Sequence, residues 1–262
     1  MAEPDRMLLE SDEPNPARVL RPTGGSDFLL TADHAGRMIP RRLGRLGLPQ
    51  AELSRHIAWD IGIAAVTEKL SARLDAIAIL QRYSRLVIDC NRAPGVPSSI
   101  PTISENTLIA GNQNLSAAEV AARCREVFRP YHDRISEHIA ARLTARRRTI
   151  VIAMHSFTPV FKGESRAMQV GILYNRDARL AHILLELLGA EPGLVVGDNA
   201  PYAVSDETDY TIPIHAERRG LPHVEIELRQ DLIADAAGQE VWAERLASLL
   251  ARADTQLRAE KA

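Results

Sequence analysis

The chain has 262 residues, 45% of them hydrophobic and 25% charged, with 32 basic and 34 acidic side chains and a formal net charge of -2. That near-balance supplies no one-signed field of the kind that marks binding to nucleic acid or a membrane surface, so neither is expected as a partner. The length suits one α/β domain with a substantial core over residues 26–262, behind a Pro-rich, charged lead-in over 1–25 that reads as flexible.

In chain order, the apolar run Phe28-Leu29-Leu30-Thr31-Ala32 reads as a buried strand that delivers Asp33-His34 to a polar tip. Residues 53–74 carry Ile57, Ile61, Ala64, Ala65, Leu70 and Leu74 at helical spacing, which predicts an amphipathic helix. Residues 76–80 and 86–90 are strand-like, and 93–114, rich in Pro, Ser, Gly and Asn, predicts a long irregular loop. Ser116 with Glu119 forms a capping-box pattern that opens a helix to about Arg146. Strands follow over 149–154 (ending at His155), 169–173, 194–196 and 223–228, with helices over 178–188 and 240–257. This alternation predicts a mostly parallel sheet covered by helices on both faces. Cys90 and Cys124, far apart, make neither a disulfide framework nor a thiolate metal site. No apolar stretch approaches the ~20 residues needed to span a bilayer, and the N-terminus does not read as a signal peptide. A reducing cytoplasm is the expected location. Oligomeric state is not set by any of these segments.

Ligands in open α/β sheets bind beyond the carboxyl ends of the strands. Four strand ends here carry hydrogen-bonding or ionisable groups: Asp33-His34, Asp89-Cys90-Asn91-Arg92, His155-Ser156, and the strand with Glu225 and Glu227 on one face. His34 and His155 are each either satisfied by a backbone partner or ligands for a metal through an imidazole nitrogen. Asp60, in Trp59-Asp60-Ile61-Gly62, is a candidate third ligand or else a surface helix carboxylate. Glu227 inside an apolar strand is unfavourable to bury unless it is paired or functional. Arg229 on the same face offers a structural ion pair; the alternative is a general base. Arg92 with Asn91, and Arg85 and Arg166, are candidates for gripping a carboxylate, set against ordinary surface ion pairs.

Taken together, Asp33-His34-Ala35-Gly36 with Ile39-Pro40, the stretch Tyr83-Ser84-Arg85-Leu86-Val87-Ile88-Asp89-Cys90-Asn91-Arg92, Met154-His155-Ser156-Phe157, and Val224-Glu225-Ile226-Glu227-Leu228-Arg229 resemble the N-formylglutamate amidohydrolase family in content, order and spacing. The resemblance runs from about Asp27 to Ile233. It implies a three-layer α/β fold of the phosphorylase/hydrolase-like kind found in zinc carboxypeptidases, with a mostly parallel or mixed sheet and a divalent metal, zinc, at the strand ends. By motif, His155-Ser156 is similar to the later zinc-histidine motif of those enzymes, Ile226-Glu227-Leu228-Arg229 to the strand of their catalytic glutamate, and Asp89-Cys90-Asn91-Arg92 to their Asn-Arg clamp. Arg37 stands where they carry a glutamate three residues after the first histidine, so Asp60 is taken as the third ligand.

The implied activity is metal-dependent hydrolysis of the amide of an N-acyl amino acid, N-formylglutamate to formate and glutamate. Two alternatives stay open. One is a related metallopeptidase or deacylase with a different carboxylated substrate; the other is a non-catalytic metabolite-binding protein on the same fold. No Gly-x-Ser-x-Gly elbow, dinucleotide fingerprint or phosphate-cradling loop is present.

Overall fold

The apolar runs Phe28–Ala32 (β2), Ile77–Gln81 (β3), Ile150–Phe157 (β6) and His223–Arg229 (β11) are buried almost throughout, as strands must be when both faces of their sheet are covered. In the computed structural model, which describes residues 7–259, they form the middle of a seven-stranded sheet. The other members are Ala17–Leu20 (β1), Val170–Leu173 (β9) and Val196–Asp198 (β10), and the order is β1-β3-β2-β6-β11-β9-β10. The β3, β2, β6 and β11 strands run parallel, as do β9 and β10; β1 on β3 and β9 on β11 are antiparallel. The expected mixed, mostly parallel sheet is thereby borne out.

Side chains two apart share a face of a strand, so each strand feeds two cores. Leu30, Ala78, Ile152, Val224 and Ile226 pack with Ile63–Leu74 (α1), Arg179–Gly189 (α4) and Ala236–Ala259 (α5). Leu29, Ile79, Val151 and Ala153 pack on the opposite face with Tyr131, Ile135 and Ile139 of Arg129–Thr144 (α3). Three layers result, with the sheet in the middle. His155, Glu225 and Glu227 carry odd numbers on their strands, so all three fall on the α3 face. Small hairpins, Ile103–Ser104 (β4) with Thr107–Leu108 (β5) and Val160–Phe161 (β7) with Glu164–Ser165 (β8), stand outside the sheet.

Several elements differ from expectation. The segment expected to be flexible contributes β1, because Val19 and Leu20 find partners in Ile79 and Ala78 of β3; its residues 1–6 lie outside the described residues. The helix expected from residue 53 starts only at Ile63, after Gly62 with φ +83°. Residues 86–90 form no strand. Their apolar side chains are buried, but Val87 N–H bonds the Ser84 carbonyl and Asp89 N–H bonds the Ser99 carbonyl, so an apolar run here makes a buried turn. Ser116 and Glu119 do form the capping box of Ala117–Arg123 (α2). A π-helical turn, Cys124–Phe128, then separates α2 from α3 just before Pro130, which has no N–H for the regular helical ladder.

Candidate metal centre and active site

Asp33 and His34 leave the end of β2, and His155 sits near the end of β6, its neighbour in the sheet. Asp60 comes from the turn before α1, where its N–H bonds the carbonyl of His34 at 2.9 Å. Gly62 allows that turn: besides its positive φ, a Cβ there would stand 2.2 Å from the Ile233 carbonyl oxygen. The fold thus brings three candidate ligands from remote positions to one place. His34, Asp60 and His155 are all buried, and one ligand atom from each lies within 4.8 Å of the others.

The two imidazoles are placed alike. Asp60 Oδ2 lies 3.5 Å from Nδ1 of His34 and 3.1 Å from Nδ1 of His155. The far nitrogens each face an outer carboxylate: Nε2 of His34 is 2.7 Å from Asp89 Oδ1, and Nε2 of His155 is 3.4 Å from Asp33 Oδ2. Asp33 is held by the hydroxyls of Tyr131 and Thr211, which donate to its Oδ1 at 2.6 and 2.9 Å. Burial opposes a charge on His155, but Glu225, Asp33 and Asp60 outweigh it and raise its pKa well above the ordinary value. For His34, burial and Arg85 act downward, and Asp89 and Asp60 carry the net shift upward. Asp60 remains ionised against its burial because both imidazoles favour its charge. The buried Nδ1 of His34 has no hydrogen-bond partner, nor has Nε2 of His155 or Oδ2 of Asp33. Two imidazoles and a carboxylate converging in this way, with outer carboxylates behind both rings, fit a divalent cation.

Glu227 is the cross-strand partner of His155, and Glu225 that of Ala153. Both glutamates line a cleft of about 490 Å³ with His34, Asp60 and His155. Burial pushes the Glu227 carboxyl up to about 7 and that of Glu225 well above its ordinary value. Arg229 is not the partner of Glu227; it pairs with Asp231 at 2.8 Å and donates to the carbonyls of residues 166–168.

Of the expected substrate-binding residues, Arg85, Asn91 and Arg92 line this cleft and Arg166 does not. Arg85 donates to Asp89 Oδ2 from Nε (3.1 Å) and Nη2 (2.6 Å). Asn91 is engaged with the protein: its Oδ1 accepts from the backbone of Tyr210 and Thr211, and its Nδ2 donates to Asp209. Arg92 donates from Nη1 to the carbonyls of Asn91 and Thr208. Arg166 stacks on Phe157, Phe161 and Tyr202 and donates to the Tyr202 hydroxyl at 3.0 Å, so those rings, not its own guanidinium, form the cleft wall.

Asp33 and Asp89 were not among the expected site residues. A signal for both exists in the sequence: Asp33 is adjacent to His34, and Asp89 stands four residues after Arg85. Tyr202, in a loop, and Glu105, in the turn of the β4–β5 hairpin, are also on the cleft.

Residues 26–234 match the model of the family described as N-formylglutamate amidohydrolase. Among solved structures, a gene product of Agrobacterium tumefaciens is 40% identical, covers 96% of this chain and 99% of that chain, and superposes with a TM-score of 0.93. An N-formylglutamate amidohydrolase from Ralstonia eutropha shares the fold, with a TM-score of 0.66 at 18% identity over 93% of this chain and 99% of that one. No curated protein matches the sequence.

Proposed function

We propose that this chain, which belongs to the N-formylglutamate amidohydrolase family, hydrolyses the amide bond of an N-acyl amino acid with the help of a divalent metal, with N-formylglutamate as the substrate that family membership favours. The observation that carries the reading is the pair of buried imidazoles turned toward one oxygen of Asp60, with Glu227 beside His155. His34, Asp60 and His155 would hold the ion, and zinc suits their nitrogen and carboxylate donors. Such an ion supplies Lewis-acid polarisation of the acyl oxygen and eases the ionisation of water.

Glu227 is the general base. Its pKa of about 7 suits a group that takes a proton from water and then delivers it to the leaving amine nitrogen near neutral pH. Glu225 is less suited: its Oε2 lies 4.0 Å from Nε2 of His155, the nitrogen turned away from Asp60. Arg92 and Arg85 bring positive charge to the cleft and would receive the carboxylate of the substrate. Asn91 shapes the wall by holding residues 209–211, and Arg166 props Tyr202. Free Cys90 and Cys124 fit a reducing, cytoplasmic setting, and no helix among the described residues is long and apolar enough to cross a membrane.

Turnover measured over a panel of N-formyl and N-acetyl amino acids and dipeptides tests the reading. Preferred release of formate from N-formylglutamate supports it. Preference for dipeptides transfers the chain to a peptidase, and no turnover of any member leaves only binding.

A further inference from the structure

Asp89 is shared between two partners with different tasks. Its Oδ1 meets Nε2 of His34 at 2.7 Å, and its Oδ2 accepts two bonds from the guanidinium of Arg85. The same guanidinium reaches past Asp89: its Nη1 stands 3.7 Å from Oδ1 of Asp60. Arg85 therefore touches one candidate metal ligand through space and another through a bridging carboxylate. All three line the cleft, but Asp60 and Asp89 are 4% exposed while Arg85 is 26% exposed and offers the most surface to it.

We infer that Asp89, a positioning residue behind His34, and Arg85, which would meet the substrate carboxylate, act on metal affinity with opposite signs and so couple it to substrate binding. The inference rests on the function proposed above and deepens it. A carboxylate behind an imidazole fixes the ring and makes its other nitrogen a better donor, so Asp89 strengthens the hold of His34 on a cation. Arg85 acts the other way. It draws charge from Asp89 and repels a cation held by Asp60. When the carboxylate of a substrate pairs with Arg85, that positive charge is offset and the cation is held more firmly. By linkage, a bound cation tightens the grip on the substrate to the same degree.

The sign of the two effects separates this from a structural role, in which loss of either partner would loosen the site. The experiment measures the affinity for zinc ion alone, by competition with a chromophoric chelator, in the native protein, Asp89→Asn and Arg85→Ala. Weaker binding in Asp89→Asn, by roughly 10–100-fold, together with tighter binding in Arg85→Ala, is expected. Unchanged affinity in Asp89→Asn, or weakened affinity in Arg85→Ala, overturns the coupling and leaves the metal-dependent function standing. A native protein that binds no zinc overturns both, and shows it before any variant is compared. If Asp89→Asn does not melt cooperatively, Arg85→Ala decides the matter by its sign.

Discussion

Glu227 lies directly opposite His155 in the parallel register of β6 and β11. Because both residues occupy the same face of the sheet, the carboxylate arrives beside the imidazole without any loop to position it. That placement, a carboxylate on a strand next to a candidate ligand, is what the proposed role of Glu227 as base requires.

Glu227→Gln keeps the size of the side chain and removes the base. Turnover should fall by roughly 10²–10⁴-fold while bound metal stays at the native level. Steady-state kinetics and metal analysis on the same sample check this, and Glu225→Gln as a companion should retain most activity. Native-like turnover in Glu227→Gln would move the base elsewhere.

His155→Ala removes one imidazole and leaves Asp33 Oδ2 and Asp60 facing a void. The variant should lose its metal and its activity together yet remain folded in outline, since the neighbouring strand residues Ala153 and Met154 keep their packing. A full metal complement in His155→Ala would make the histidine structural.

Arg92→Ala should raise KM for carboxylated substrates by about tenfold or more with a smaller change in kcat. The charge-assisted hydrogen bond proposed between Arg92 and the carboxylate would be made equally in the ground and transition states, so removing it should act on binding. An unchanged KM would release Arg92 from the clamp.

Away from the centre, His132 and His215 make a buried, stacked pair with Nδ1 of His132 2.9 Å from Nε2 of His215. Nε2 of His132 donates to the Cys90 carbonyl, beside Asp89 and Asn91. Burial lowers the His132 pKa to about 4 and that of His215 to about 3, from 6.5 in the unfolded chain. Below pH 6.5 the unfolded state therefore binds more protons than the folded one, and stability falls with pH until each folded pKa is passed. The loss attributable to His132 is on the order of 3 kcal/mol. Urea unfolding at several pH values between 7 and 4 should show a flatter slope in His132→Gln than in the native protein. Equal slopes would deny the pair its part in acid sensitivity.

Much of the architecture was legible in the sequence because the central strands are apolar on both faces and the helices between them are amphipathic. The candidate site was legible where an apolar strand leads to a polar residue, as at His34 and His155, or holds a carboxylate within it, as at Glu227. The turn at 86–90 misled, since Leu86, Val87 and Ile88 look the same in a buried turn as in a strand. The lead-in misled for a related reason: β1 is an edge strand of four residues, stabilised by pairing with β3 and not by its own pattern. The outer carboxylates Asp33 and Asp89 escaped because their role depends on contacts 55 residues apart in the chain for Asp89 and His34, and on the neighbouring strand for Asp33 and His155. Arg166 stacks on Phe157 and Phe161 because the β7–β8 hairpin folds that segment back, and on Tyr202 from a distant loop, contacts that residue type alone does not reveal.

The most direct test is formate release from N-formylglutamate by protein whose metal content is measured, before and after treatment with a chelator and after zinc is returned. Stoichiometric metal, loss of activity on its removal and recovery on reconstitution are the expected result. Formate release that persists undiminished in metal-free protein would contradict the central claim.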